Sequence, residues 1–242
     1  MSPGAAGGRF ASTRWTMVNA AGRESDPHAA AALEELCQSY WPPLYSYLRR
    51  RGHDAADAQD LTQGFFLRLI ERGDIRAADP ARGRFRGFLL TALKRYAINE
   101  HERATAARRG GPKVRLTLDF DQAERTYALD MREQDTPDRV FDRKWAGIAI
   151  DRAIQRVRHE CVDARQAAVT ERLLPYLTHA GELPSYRDVA GDLGITEGAV
   201  KVGVHRLRQR FGAMLRLEIG ETVLAPDEIE DEMRELLRAV SG

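Results

Sequence analysis

Residues 185–211 read SYRDVAGDLGITEGAVKVGVHRLRQRF, and their caps, stops and apolar positions specify two helices joined by a tight turn. Ser185 can cap the first helix, and Thr196 can cap the second, with Glu197 in a first turn whose dipole favours a carboxylate. Gly194 falls where the first helix must stop and the chain must reverse. Ala190 sits at the crossing point, where a small side chain lets two helices meet steeply. Val189, Leu193 and Ile195 face Val200, Val204, Leu207 and Phe211, and these last four recur at helical spacing. Burying each is worth roughly 1.5–3 kcal/mol. The opposite face carries Lys201, His205, Arg206, Arg208 and Gln209. This is the pattern of a helix-turn-helix, whose second helix enters the major groove of DNA.

The bulk composition suits such a unit. A chain of 242 residues can hold one or two domains with real cores. Its apolar runs are far too short to span a bilayer, and MSPGAAGGRF at the start lacks the apolar stretch of a secretory signal. Cys37 and Cys161 stand alone, with neither disulfide-framework nor metal-ligand spacing, so the expectation is a cytoplasmic protein with no metal and no membrane partner. The net charge of +1 hides strong segregation. Between Arg76 and Arg109 nine Lys or Arg stand against three Asp or Glu, whereas from Leu217 to Gly242 two stand against eight. Charge sorted this way indicates a nucleic-acid surface and an acidic tail.

Upstream, the chain reads as further helices, so the expected class is all-α. Residues 1–26 form an N-terminal extension in which Ser12 to Ala21 could make a short helix. Ala29 to Arg51 is helical by its apolar steps, with Pro42-Pro43 expected to end or kink it and Gly52 to stop it. Asp54 caps a helix running to about Glu71, with Ala58, Leu61, Phe65, Phe66, Leu69 and Ile70 inward. A loop with Asp79-Pro80 and Gly83 leads to a long helix from Phe85 to about Ala107. RRGGP at 108–112 reads as a domain boundary. Residues 110–136 are then a linker, whose alternating Val114, Leu116, Leu118 and Phe120 would form a lone strand or an extended segment. Thr136-Pro137-Asp138 opens the second helical domain, 137–216, and 217–242 is an acidic extension with an amphipathic helix from Asp227 to Val240. That tail could mask the basic face of the second domain until polymerase engages, but the preferred reading is a stabilising extra helix.

Two stretches, DAQDLTQGFFLRLIE and RFRGFLLTALKRYAINEHER, precede the linker, and TEGAVKVGVHRLRQRF follows it. In that order and spacing they resemble the extracytoplasmic-function (ECF) class of bacterial RNA polymerase sigma factors. The resemblance implies that 27–109 is region two, which binds the coiled coil of the polymerase β′ subunit and opens the promoter at its −10 element. It likewise implies that 137–216 is region four, which reads the −35 element and touches the β flap. Carried onto this chain, the polymerase-facing residues are Asp57, Asp60, Gln63 and Arg68. Those at the −10 DNA are Arg82, Arg84, Arg86, Lys94, Arg95 and Asn99, and those at the −35 DNA are Lys201, His205, Arg206 and Gln209. Gly64 departs from the acidic residue usual in the family, and Val202-Gly203 from a frequent Ser-Arg. The implied partners are core RNA polymerase and promoter DNA, with an anti-sigma factor as a third where one exists.

No cofactor and no catalytic residue is expected. His101-Glu102 begins a zinc-protease pattern, but Thr105 stands where its second histidine would be, and there is neither a phosphate-binding Gly-rich loop nor a GxSxG elbow. The alternative within the binding class is a helix-turn-helix regulator that is not a sigma factor. Such a repressor would need a dimer interface for two half-sites, and no coiled-coil heptads are present.

Overall fold

The computed structural model describes residues 27–71, 84–106, 118–130, 132, 134–178, 183–223 and 227–241. Among them every regular element is a helix, as the apolar spacing requires. The chain divides into two compact units, one formed by residues up to Gly147 together with those from Gly220, the other by Ile148–Ile219. The second unit begins inside a continuous helix, eleven residues beyond the start expected at 137. The expected helix at 12–21 and the alternating positions Val114 and Leu116 lie outside the described residues.

The first unit is built on α1 (Pro27–Arg50), α2 (Ala55–Glu71) and α3 (Phe85–Ala106). Tyr40, Leu44, Tyr45 and Leu48 of α1 pack into its core with Phe65 and Phe66 of α2 and Phe85, Leu89 and Leu93 of α3. Pro42 and Pro43 do not end α1, which runs through both. An interior proline costs about 3 kcal/mol, but the flanking Tyr40, Trp41, Leu44 and Tyr45 are all buried, and each returns roughly 1.5–3 kcal/mol. The helix ends at Gly52, in the left-handed region at φ 98°. The Gly52 amide donates to the Arg49 carbonyl and the His53 amide to that of Leu48, which satisfies carbonyls the last turn would leave open. Asp54 then caps α2 by accepting from the Asp57 amide at 2.8 Å.

The segment expected to be a linker contains a helix, α4 (Phe120–Asp130). Asp119 caps it by accepting from the Gln122 amide. Phe120, Ala123 and Tyr127 bury one stripe. Phe120 meets Trp41 and Tyr45 of α1 edge-on or tilted, with centroids 4.9 and 5.4 Å apart. Glu124 completes the seam: it accepts from the Tyr45 hydroxyl at 2.5 Å and from both Nε and Nη2 of Arg49 at 2.8 and 2.6 Å. The Arg49 guanidinium also lies 5.3 Å over the Tyr127 ring. The unit is completed by the first part of α5 (Pro137–His159), capped by Thr136, and by the C-terminal helix α10 (Glu228–Ser241).

The second unit contains the rest of α5, then α6 (Ala164–Leu173), the single turn α7 (Pro175–Thr178), α8 (Tyr186–Leu193) and α9 (Glu197–Gly220). Its core is Val157, Leu173, Tyr176, Val189, Ala190, Val200, Val204 and Leu207. Helix α9 runs on past Arg216, the expected end of the second domain, with Leu215 and Ile219 buried and Glu218 paired with Arg156.

The Glu124 seam gives the first unit an acid-sensitive contact. The hydrogen bond from Arg49 holds the Glu124 carboxyl below the ordinary glutamate range, against the opposing effect of partial burial. A depressed carboxylate stabilises the fold above its unfolded pKa and loses that contribution as pH falls through the folded one. Glu124→Gln is therefore expected to lower stability at pH 7 by about 1 kcal/mol, allowing for solvent screening of a partly exposed pair. The gap from wild type should close as urea unfolding is repeated at pH values below the glutamate range.

Candidate polymerase and nucleic-acid interfaces

In the first unit, α2 and α3 place the residues that the sequence singles out on different surfaces. Asp57 and Asp60 are exposed on the first two turns of α2, free of burial that would prevent a partner from reaching them. Gln63 is half-buried. Arg68 does not continue that face: its guanidinium turns toward α3 and lies 5.8 Å over the Tyr96 ring. There it lines a groove of about 250 Å³ with Phe65, Phe88, Arg95, Tyr96 and Asn99. Gly64 has a structural reason in the same place. A Cβ at position 64 would come 2.3 Å from the Tyr96 hydroxyl, so the glycine lets that hydroxyl approach α2 closely, at a cost in helix propensity of about 1 kcal/mol.

Helix α3 separates its cations by face. Arg95 and Asn99 are exposed beside the groove. Lys94 points elsewhere, pairing with Asp138 at 2.5 Å with its ammonium 5.3 Å from the Tyr47 ring. Arg84 and Arg86, expected to remain available to phosphates, are instead engaged by the acidic helix α10. Arg86 donates from Nε to Glu232 and from Nη2 to Glu235, each at 2.6 Å, and also pairs with Asp142. Arg84 pairs with Glu232 at 2.6 Å and with Glu235. The Arg86 guanidinium lies 5.0 Å over the Trp145 ring. Burial alone would lower the Arg86 pKa, but the hydrogen bond and charge of Glu232 with the neighbouring carboxylates raise it. Glu232 is 1% exposed. The acidic tail thus meets the first unit's basic residues, in keeping with the reading of it as a stabilising extra helix. Arg82 lies outside the described residues.

In the second unit the caps are where the sequence puts them. Ser185 Oγ accepts from the Asp188 amide and Thr196 Oγ1 from the Ala199 amide. Gly194 is left-handed at φ 63°, and the Gly194 and Ile195 amides donate to the carbonyls of Gly191 and Ala190. Lys201, His205, Arg206 and Gln209 are all exposed on α9. Lys201 is 3.7 Å from Glu197 one turn back, while Arg208 is drawn away to donate to the Tyr176 carbonyl. Gly203 faces α6: a Cβ there would come 2.9 Å from Leu173 Cδ1. The position therefore serves helix packing, and an arginine there would require the Leu173 side chain to shift.

Residues 36–107 match the family model for sigma-70 region 2. The match takes in most of α1, all of α2 and α3, and less than a third of the chain. It supports a sigma-70 family member, and region 2 of that family implies binding to core RNA polymerase and promoter DNA. No curated protein and no solved structure matches the chain. Among the described residues no helix is long and apolar enough to cross a membrane, and no group of His, Cys, Asp and Glu is disposed to hold a metal.

The region 2 module is therefore closed by elements outside the matched segment, α4 on one side and α10 on another. The signal for the α10 contact was in the sequence: Glu232 falls on the apolar stripe of Ile229, Met233 and Leu236, where a carboxylate needs a buried cation. Removing one partner of a buried pair costs about 3–5 kcal/mol. Glu232→Ala is expected to lose that amount in urea denaturation, whereas Arg238→Ala, on the exposed side of the same helix, should change stability by less than about 0.5 kcal/mol.

Proposed function

We propose that this chain is a sigma factor of the extracytoplasmic-function class, which joins bacterial core RNA polymerase and directs it to promoters with −10 and −35 elements. The observation that carries this reading is the region 2 match at 36–107 followed, in the same chain, by the capped helix-turn-helix at 185–211. A DNA-binding regulator needs only the second of these. In the proposed division of labour, Asp57, Asp60 and Gln63 meet the β′ coiled coil. The β flap meets the second unit, which acts as region 4.

At the −10 element, opening the duplex exposes bases whose unstacking costs a few kcal/mol. The α2–α3 groove offers rings and cations of the kind that return about 1–3 kcal/mol per stacked base. Arg95 and Asn99 are the contacts best placed beside that groove, with Arg68 behind them, and Arg82 is kept as a contact on the family resemblance alone. Arg84, Arg86 and Lys94 take a lesser part. Releasing Arg86 from Glu232 costs about 3–5 kcal/mol, and an exposed ion pair of the kind a phosphate offers returns about 0–1 kcal/mol. The arginines therefore stay with α10.

At the −35 element Arg206, Lys201, His205 and Gln209 read base edges in the major groove, where Arg and Lys suit guanine and Gln suits adenine. The protein acts as a binding factor with no catalytic residue of its own. An anti-sigma factor would be a regulator of this activity, acting on the same exposed surfaces.

Run-off transcription with core polymerase tests the proposal: adding the full chain should start transcripts at a defined position, and a regulator would add none. Arg95→Ala with Asn99→Ala should reduce those transcripts about tenfold or more while leaving core binding intact. Arg206→Ala or Lys201→Ala should weaken promoter binding by about 1–3 kcal/mol without unfolding the second unit. Promoter affinity equal to wild type for both of the latter changes would remove them from the interface.

A further inference from the structure

Helix α9 turns nearly all its aliphatic residues inward: Val200, Val204, Leu207, Leu215 and Ile219 are buried. Val202 is an exception at 50% exposure. It lies on the outer face, one turn before His205 and Arg206 and two turns before Gln209. A β-branched residue left half-exposed there gains little from packing within the chain and is a weaker helix former than alanine. Leu217 is similarly exposed, but it stands fifteen residues on, about 22 Å along the axis, away from the N-terminal turns that reach base edges in a helix-turn-helix.

The surroundings of Val202 favour close approach by a ligand. Gly198, one turn earlier on the same face, has no internal need for its missing side chain: the nearest atom to a Cβ there would be Thr196 Oγ1 at 4.0 Å. The neighbouring Lys201 ammonium is 3.7 Å from Glu197, and Arg208 is held at Tyr176, so neither long side chain need cover the valine. His205, Arg206 and Gln209 border it with hydrogen-bonding groups and positive charge, which suits a phosphate-flanked groove.

We propose that Val202 is a base-specificity residue, receiving the C5-methyl group of one thymine in the −35 element. Thymine alone among the four bases presents a methyl group in the major groove, and apolar side chains are its natural contacts. The hydrogen-bonding neighbours then fix the adjoining base pairs. This inference rests on the reading of the second unit as the −35 reader, and it explains what an apolar residue does on an otherwise polar recognition face.

The test uses holoenzyme assembled from the full chain and bacterial core polymerase. Duplexes are first selected from a pool randomised across the −35 position, and each thymine of the selected site is then replaced singly by uracil. Uracil keeps every hydrogen-bonding edge and lacks only the methyl group. At one position the replacement should weaken wild-type binding about threefold to fivefold, the worth of one buried methyl group. Val202→Ala, which retains the helix, should bind the thymine and uracil duplexes equally at that position. The inference is overturned if no uracil replacement weakens wild-type binding, or if Val202→Ala remains as sensitive as wild type. Failure to select any sequence at the −35 position would instead overturn the underlying assignment of the second unit, and this inference with it.

Discussion

The hold of Glu232 on Arg84 and Arg86 organises the first unit. It joins the start of α3 to a helix almost 150 residues later in the chain. Glu235 and Asp142 add carboxylates, and Trp145 supplies an aromatic face beneath the Arg86 guanidinium. A buried ion pair adds little stability over a well-packed apolar substitute, yet breaking one side of it is costly. Such a contact does more to decide which elements come together than to deepen the energy minimum. Here it makes the acidic C-terminal helix a part of the region 2 module.

That arrangement divides the polar residues at and along α3 into two sets. Arg84, Arg86 and Lys94 hold α10 and α5 in place, while Arg95 and Asn99 stay exposed beside the aromatic α2–α3 groove. Charge segregation along the sequence thus has a mainly structural outcome at the N-terminal end of α3 and leaves Arg95 on an exposed surface further along it. Net charge over a stretch does not distinguish these, because a buried arginine and a solvated one count equally. The same holds on α9, where Arg208 serves the fold and Arg206 remains on the outer face.

Much of the fold was legible in local chemistry. Ser185, Thr196, Asp54 and Gly52 each cap or stop a helix where the sequence put them, because a cap depends on residues within a few positions of itself. The valine and leucine stripe of α9 faced inward for the same reason. What was not legible depended on distant partners. Phe120 closed an alternating patch that suggested a lone strand or an extended linker, although Asp119 as a cap and Ala123 and Tyr127 at helical spacing spelled a helix equally well. Burial against Trp41 and Tyr45 decided between them. Pro42-Pro43 suggested a break that core packing overrode. Arg68 looked like one of a row with Asp57 and Asp60 until Tyr96, on another helix, drew it aside. Family resemblance carried the region 2 assignment, but the residues specific to this chain, Gly64, Gly203 and Val202, had to be read from their surroundings.

The account stands on α10 being an integral part of the region 2 module rather than a cover that lifts. Amide hydrogen exchange on the full chain, free and then bound to core polymerase and promoter DNA, addresses that directly. The account predicts that amides of α10 and of the first turns of α3 are protected together, and equally in both states. Rapid exchange of α10 beside a protected α3, or loss of α10 protection when promoter DNA binds, would contradict it.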